Sequence, residues 1–254
     1  MSKLGVIIIA TGKYISFVDD LIESIQEFIG FKGEINYFLF TDKDNMSQDL
    51  RYNVKKIEYN YTVWPMPTLM RYQGILGAKN ILRAQDYLLY LDADMRVNSS
   101  CSDLFESEIF AVRHPRHKIS RKHPFEKNHR SSAYIDHSSY QMYVCGGIQG
   151  GKSRRFLEAV EETCKKIEFD LKQNYIAKWH DESYWNKYVS QNNDIQIFSS
   201  SYCWPQQWIS QATPGKVIAL KKNHSNLRNN SSLFLKIKLK ISDFRMKLLQ
   251  PRSY

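Results

Sequence analysis

The chain opens on an unbroken apolar run at residues 4–10, Leu-Gly-Val-Ile-Ile-Ile-Ala, ended at once by Thr11 and Gly12. A run of strand length without polar alternation has both faces covered, as in a strand inside a parallel sheet. Parallel strands need crossover connections, and the sequence supplies them. Residues 14–31 carry Phe17, Val18, Leu21, Ile25 and Phe28 at helical spacing. Residues 35–40 read as a second strand with Thr41 and Asp42 at its end, and 54–59 as a third, poorer one. A helix is expected over 68–83 and another buried strand over 87–91. Strand and helix therefore alternate through the first 95 residues, which predicts an α/β fold with an open sheet and ligands at the strand C-termini.

Further along, residues 113–130 are basic, rich in histidine and interrupted by proline, which reads as a loop. Residues 142–151 are apolar and glycine-rich, while 156–174 and 181–190 look helical. No repeat or linker divides the chain, so residues 1–229 are read as one domain and 230–254 as an appended tail. The apolar fraction of 43% excludes a disordered chain. No apolar run approaches the ~20 residues that span a bilayer. The first residues lack the long apolar region and cleavage site of a signal peptide. Cys101, Cys145, Cys164 and Cys203 are scattered, which excludes a zinc ribbon or disulfide framework and predicts a cytoplasmic location.

The net charge of +10 is concentrated at the C-terminus. Ten Lys or Arg and one acid lie from Lys216 onward, whereas the first 215 residues hold 26 cations against 25 acids. A basic tail on a near-neutral domain is unlike a surface that reads a duplex, so no nucleic-acid partner is expected. Wound as a helix, the tail places Leu233, Phe234, Ile237, Ile241, Phe244 and Leu248 on one arc. Such an arc flanked by cations suits peripheral contact with an anionic membrane, here its cytoplasmic face. The alternation over 235–241 equally suits a half-buried strand.

Four segments carry chemistry. Asp92-Ala93-Asp94 follows the buried strand at 87–91, where a ligand cleft opens. Hard oxygen ligands there suit a divalent cation bridging diphosphate oxygens, although such triplets also cap turns. Trp179-His180-Asp181-Glu182 sits where a helix starts, a position that favours acids for dipole reasons alone. A tryptophan beside a carboxylate also makes a sugar platform with a reactive group at its edge. Cys145-Gly146-Gly147 marks either a bulge or the close approach of a ligand or another backbone. Lys221, Lys222, His224 and Arg228 form either a solvated basic loop or a cluster that closes over phosphates.

Taken in order, these segments resemble glycosyltransferase family 6, the family of the histo-blood group A and B transferases. The resemblance runs from about Val6 to Asn229. It rests on Trp-His-Asp-Glu-Ser-x-x-Asn-Lys-Tyr at 179–188, Lys-Asn-His-x-x-x-Arg-Asn at 222–229, Asp-x-Asp at 92–94 and His-Pro at 114–115. It implies a GT-A fold, in which a Rossmann-like nucleotide-binding sheet merges with an acceptor-binding half. It implies retaining α-1,3 transfer of N-acetylgalactosamine or galactose from a UDP-sugar to O3 of a galactose-containing glycan or glycolipid. By the same resemblance, Ala10, Thr11 and Tyr14 hold the uracil, and Arg71 contacts the donor sugar. Asp92 and Asp94, with Ala93 between them, bind Mn²⁺ and nucleotide. Cys145, Gly146 and Gly147 border the donor sugar, Asp181 binds it, and Glu182 is the catalytic carboxylate, through either a covalent intermediate or an ion pair. His114, Trp179 and His180 contact the acceptor, with Glu182 beside them. Lys222, His224 and Arg228 order over the diphosphate. Glycine at 147 leaves room for an N-acetyl group, which predicts UDP-GalNAc ahead of UDP-galactose. Pro205 departs from the family, which has an acceptor-contacting aspartate there, so the acceptor pocket is altered.

Two rival classes compete with this reading. A metal-dependent nucleotidyltransferase or phosphodiester enzyme uses the two aspartates but leaves residues 179–182 idle. A non-catalytic sugar-binding module leaves the carboxylates idle.

Overall fold

A computed structural model describes residues 1–43, 52–115, 124–136, 142–210 and 214–227. The chain runs β1 (Lys3–Ile9), α1 (Val18–Phe28), β2 (Glu34–Thr41), β3 (Val54–Glu58), α2 (Met66–Leu69), α3 (Arg71–Gly77), α4 (Lys79–Leu82), β4 (Tyr87–Asp92) and β5 (Met95–Val97). It continues through β6 (Ile109–Arg113), β7 (Val144–Lys152), α5 (Ser153–Lys172), α6 (His180–Gln191), β8 (Gln196–Phe198), β9 (Trp204–Pro205), β10 (Val217–Ala219) and α7 (His224–Leu227). Seven strands form one sheet in the order β3-β2-β1-β4-β7-β6-β8, and β5, β10 and β9 form a small second sheet. In the large sheet only β7 runs against its neighbours. The expected open α/β sheet is therefore present, with an antiparallel strand inserted beside β4.

Both faces of the sheet are covered, which explains the unbroken apolar run at its centre. Val6 and Ile8 pack on one side with Leu21 and Ile25 of α1. Ile7 packs on the other with Tyr72 of α3, Phe156 of α5 and Trp185 of α6. One strand thus serves two cores, and polar residues at alternate positions have no solvent to face.

Three expected elements differ in detail. The helix over 14–31 is a 3-10 turn at Gly12–Phe17 followed by α1. The helix over 68–83 is broken into α2, α3 and α4, with Met70 and Ala78 leaving helical dihedrals at the joints. The broken form starts α3 at Arg71, whose side chain is buried. The glycine-rich stretch 142–151 is mostly the buried strand β7, and its pairing with β6 shifts register between Ala111–Gln149 and Arg113–Val144, so an irregularity of the bulge kind does fall at 145–148. An added Cβ on Gly150 would lie 2.3 Å from the Leu88 carbonyl oxygen, so close backbone approach accounts for glycine there.

No described helix is long and apolar enough to cross a membrane. The tail at 230–254 lies outside the described residues.

Candidate active site

Asp92 ends β4 and pairs across the sheet with Ile9 at the end of β1, at the C-terminal edge of the parallel strands. The chain then turns through Ala93 and Asp94 into β5. A cavity of about 150 Å³ opens at this edge, lined by Thr11, Tyr14, Arg71, Asp92, Asp94 and Lys222 among others. Thr11 and Tyr14 belong to the turn after β1, which Asp42 fixes by accepting the Gly12 N–H at 2.8 Å. Ala10 is buried, its own N–H donated to the Phe40 carbonyl.

Arg71 binds the acidic residues together from inside. Its guanidinium donates to the Gly146 carbonyl at 2.6 Å and to Asp92 Oδ1 at 3.2 Å, and its Nε lies 3.1 Å from Asp181 Oδ2. It also lies over the Tyr90 ring at 4.4 Å, and the Tyr90 hydroxyl donates to Asp92 Oδ1 at 2.6 Å. A planar fork with several fixed donors meets this geometry, and a lysine would not.

Glu182 is set by α6 and β7 jointly. The Asn186 side chain accepts the Val144 N–H at 2.9 Å and donates to the Val144 carbonyl at 2.8 Å, clasping the helix to the start of the strand. With that register fixed, the first turn of α6 brings Glu182 Oε2 to the Gly146 N–H at 2.8 Å. The Tyr143 hydroxyl donates to Oε1 at 2.6 Å. An added Cβ on Gly146 would meet Asp181 Oδ2 at 3.2 Å and Glu182 Cβ at 3.3 Å, so glycine lets helix and strand close up. The backbone of Gly146 serves three side chains, its N–H holding Glu182 and its carbonyl accepting from Arg71 and, at 2.9 Å, from Gln149 Nε2.

Burial raises both acids at the start of α6. It lifts Glu182 to about 7, against the opposing hydrogen bonds from Tyr143 and Gly146, with the Asp181 charge adding to the rise. It lifts Asp181 to about 6, with Arg71 and a Thr68 hydrogen bond opposing and the Asp92 charge adding. Tyr143 is itself pushed up by burial and then by Glu182, so it donates throughout the neutral range.

Glu182 also lines a second cleft of about 630 Å³, shared with His114, Tyr143, Trp179, Pro205 and Lys222. Trp179 is 45% exposed there, and His114 sits edge-on to Tyr143 at 5.7 Å. His180 adopts φ +49° at the start of α6 and packs edge-on against Trp64 at 5.2 Å. A left-handed conformation outside glycine carries strain and is met at functional sites.

Lys222 joins the two spaces. Its ammonium pairs with Asp94 and lies 5.6 Å from the Tyr14 ring centroid. Its segment is tethered where Lys13 Nζ donates to the Asn226 carbonyl at 2.9 Å. His224 opens α7, and Arg228 lies outside the described residues.

The structure thus brings Thr11, Tyr14, Arg71, Asp92, Ala93, Asp94 and Lys222 to one cavity and His114, Trp179 and Glu182 to the adjoining cleft. Cys145 faces Cys203 rather than open space, and Cys203 lines the cleft. Gly147 lies beside Asp92: an added Cβ there would come within 2.8 Å of Oδ2 and 2.6 Å of the Met95 methyl. Sequence reading misses Tyr143, Tyr90, Thr68 and Asn186 as parts of this site. Tyrosines in an apolar context read as core, and only the pairing of β7 with α6 gives them a polar task.

If Tyr143 steadies the ionised form of Glu182, Tyr143→Phe raises the Glu182 pKa further. A charge-assisted hydrogen bond contributes ~1.5–3 kcal/mol, which converts to a rise of about one unit or more. The acidic limb of the kcat profile is therefore expected to move upward by that amount, with activity recovering at high pH. A loss of equal size at every pH would assign Tyr143 a different role.

A model of "Glycosyltransferase family 6" matches residues 2–229. The O-antigen biosynthesis glycosyltransferase WbnI of Escherichia coli is 29% identical over 232 residues, covering 89% of this chain and 98% of the relative. The rat histo-blood group ABO system transferase 1 is 27% identical over 241 residues, covering 90% of this chain and 69% of the relative. The human globoside alpha-1,3-N-acetylgalactosaminyltransferase 1 is 25% identical over 210 residues, covering 79% of this chain and 60% of the relative.

Proposed function

This chain belongs to glycosyltransferase family 6, and from that premise we propose that it moves N-acetylgalactosamine, or galactose in second place, from a UDP-sugar to O3 of a galactose-containing acceptor with retention. The observation that carries the reading is the double use of Gly146. Its carbonyl holds Arg71 on the wall of the cavity beside Asp92, and its N–H holds Glu182 on the wall of the adjoining cleft. A donor lying in the first space with its hexose toward Gly146 presents its anomeric carbon to a carboxylate that also faces the acceptor.

The residues divide the work by position. Tyr14 offers a ring for the base, and Lys222 is placed to meet phosphate charge once released from Asp94. Arg71 holds Asp181 and Asp92 at fixed separation beneath the sugar. Ionised Glu182 stabilises positive charge developing at the anomeric carbon, and the cleft of Trp179 and His114 orients the acceptor oxygen.

The donor set fits a divalent cation. Asp92, Asp94, Asp181 and Glu182 are four carboxylates against the two cations Arg71 and Lys222, and a diphosphate brings further negative charge. Among the described residues no cluster of three ligands forms, so Asp92 and Asp94 would hold Mn²⁺ together with phosphate oxygens. When bound, that ion neutralises the leaving diphosphate.

The preference for UDP-GalNAc rests on the resemblance at 147 alone: Gly147 lines neither of the two spaces described above, and a methyl group there would press on Asp92 and the Met95 methyl rather than enter open space. The test is UDP release from both donors with Mn²⁺, with and without a galactoside. Acceptor-stimulated release is expected, and strongest with UDP-GalNAc. A clear preference for UDP-galactose removes the donor assignment, and release indifferent to every galactoside removes the acceptor class. The tail at 231–254 supports peripheral membrane contact by its charge and apolar arc alone. Its deletion is expected to end partitioning onto anionic vesicles while leaving transfer to a soluble acceptor, and unchanged partitioning overturns it.

A further inference from the structure

We infer that Glu126 is a positioning residue for the acceptor, holding the Trp179 platform through the Lys178 main chain from a segment 52 residues away. This inference rests on the function proposed above and adds to it a residue that lines neither of the two spaces.

With 45% of its surface exposed, Trp179 takes its position largely from its main chain. Three successive N–H groups there each end on a side chain. Ala177 donates to the Tyr184 hydroxyl at 3.4 Å, Lys178 to Glu126 Oε2 at 2.7 Å, and Trp179 to the Ser183 hydroxyl at 3.0 Å. Tyr184 and Ser183 belong to α6, the helix that Trp179 leads into, so they tie the turn only to its own helix. Of the three, Glu126 alone ties it to another part of the chain. Its bond is also the shortest and has a charged acceptor, the stronger kind.

Glu126 is itself a fixed anchor. It is 4% exposed, its Oε1 accepts the Asn128 N–H at 2.8 Å, and the Tyr175 hydroxyl donates to it as well. The same segment is fastened to α5 a few residues on. The Ser131 hydroxyl donates to Asp170 Oδ2 at 2.5 Å, the Ser132 N–H to Asp170 Oδ1 at 2.8 Å, and the Ser132 hydroxyl to the Lys166 carbonyl at 2.8 Å. Asp170 is fully buried and also accepts the Tyr184 hydroxyl at 2.9 Å. Through Tyr184 and Lys178, then, both buried carboxylates bear on residues 177–179.

The residue before Glu126 reaches the other wall of the cleft. Phe125 packs on the Tyr143 ring at 5.3 Å in a small cluster completed by Ile135, and the Tyr143 hydroxyl holds Glu182. Adjacent residues of one segment thus support the acceptor platform and the carboxylate that faces it. Without the Glu126 carboxylate, the Asn128 and Lys178 N–H groups lose their partner and the peptide leading into Trp179 can reorient. A shift of about 1 Å spoils a stacking geometry, while the donor cavity keeps its walls from other elements.

The experiment measures acceptor KM, donor KM and kcat with a methyl β-galactoside for the native chain, Glu126→Ala and Glu126→Gln. Thermal melting and acceptor-free hydrolysis of the UDP-sugar are recorded for each. Glu126→Ala is expected to raise the acceptor KM about tenfold, the worth of one aromatic contact, with donor KM and hydrolysis near native. Glu126→Gln keeps one oxygen for one of the two N–H groups, so it is expected to fall between. It also carries the test if Glu126→Ala does not fold. An acceptor KM unchanged in a folded variant overturns the inference and leaves the proposed function standing. A donor KM that rises as much as the acceptor KM, or hydrolysis that falls with transfer, assigns Glu126 to the fold alone and overturns it too. A native chain that transfers to no galactoside sinks the proposed function and this inference together.

Discussion

Glu182→Gln is expected to lower transfer about a thousandfold, the loss typical of removing one preorganised electrostatic partner of the transition state, and at pH 8 to make the fold more stable. The first effect follows from position: an amide carries no charge to oppose a developing cation. The second follows from the raised pKa. Burial holds Glu182 at about 7 in the folded chain against 4.5 for the ordinary side chain. Below the lower value both states are protonated and the group is neutral to stability. Between the two values the unfolded chain gives up the proton more readily, so rising pH favours unfolding. Above about 7 the full penalty is present, of order 1–3 kcal/mol. A glutamine escapes it, because its oxygen accepts the Gly146 N–H and its amide donates to the Tyr143 hydroxyl. Thermal melting of both forms at pH 4.5 and pH 8 checks the sign. A variant that is less stable at pH 8 than the native chain would show that the carboxylate is not the costly group.

Arg71→Met is expected to be the most damaging single change to the fold around this site. It leaves the buried Asp181 without its cation and takes one of the hydrogen bonds from Asp92 and from the Gly146 carbonyl, which keep those from Tyr90 and Gln149. Removing one partner of a buried ionic cluster costs about 3–5 kcal/mol. For a chain of this size that corresponds to a fall in Tm of roughly 10 °C. The loss should shrink on acidification, since Asp181, already raised to about 6, goes neutral and no longer needs the cation. Arg71→Lys keeps the charge without the fork, so it should recover part of the stability and little of the activity. Calorimetry at pH 5 and pH 8, with UDP release at pH 8, separates these outcomes. An Arg71→Met protein as stable as the native chain at pH 8 would show that the cluster does not depend on its cation.

Much of the architecture is legible in the order of apolar and polar residues alone. The run at 4–10 and the strand at 87–91 announce themselves because a doubly covered strand leaves no polar alternation. Asp92 and Asp94 are readable because they follow such a strand, and Asp181 and Glu182 because they open a helix. What stays hidden is whatever depends on two distant segments meeting. Tyr143 looks like a core aromatic until β7 lies beside α6. Asn186 looks like one polar residue on a helix until its amide is found paired with both backbone groups of Val144. The break at Met70 carries no local signal either, since apolar spacing favours one continuous helix, and the break at Ala78 is marked only by Gly77 before it. The glycines of β7 are ambiguous for the same reason: their meaning lies in Leu88, Asp92, Asp181 and Glu182, which approach them from elsewhere.

The glycine strand also shapes how this enzyme can change over time. Its inner wall is built from peptide groups, which point mutation cannot replace, so the groups touching Arg71 and Glu182 are shielded from ordinary drift. A new side chain at 146, 147 or 150 instead intrudes on an atom already in place. Change is therefore channelled to the side chains that line the two spaces from other elements, which substitution can alter without displacing that wall.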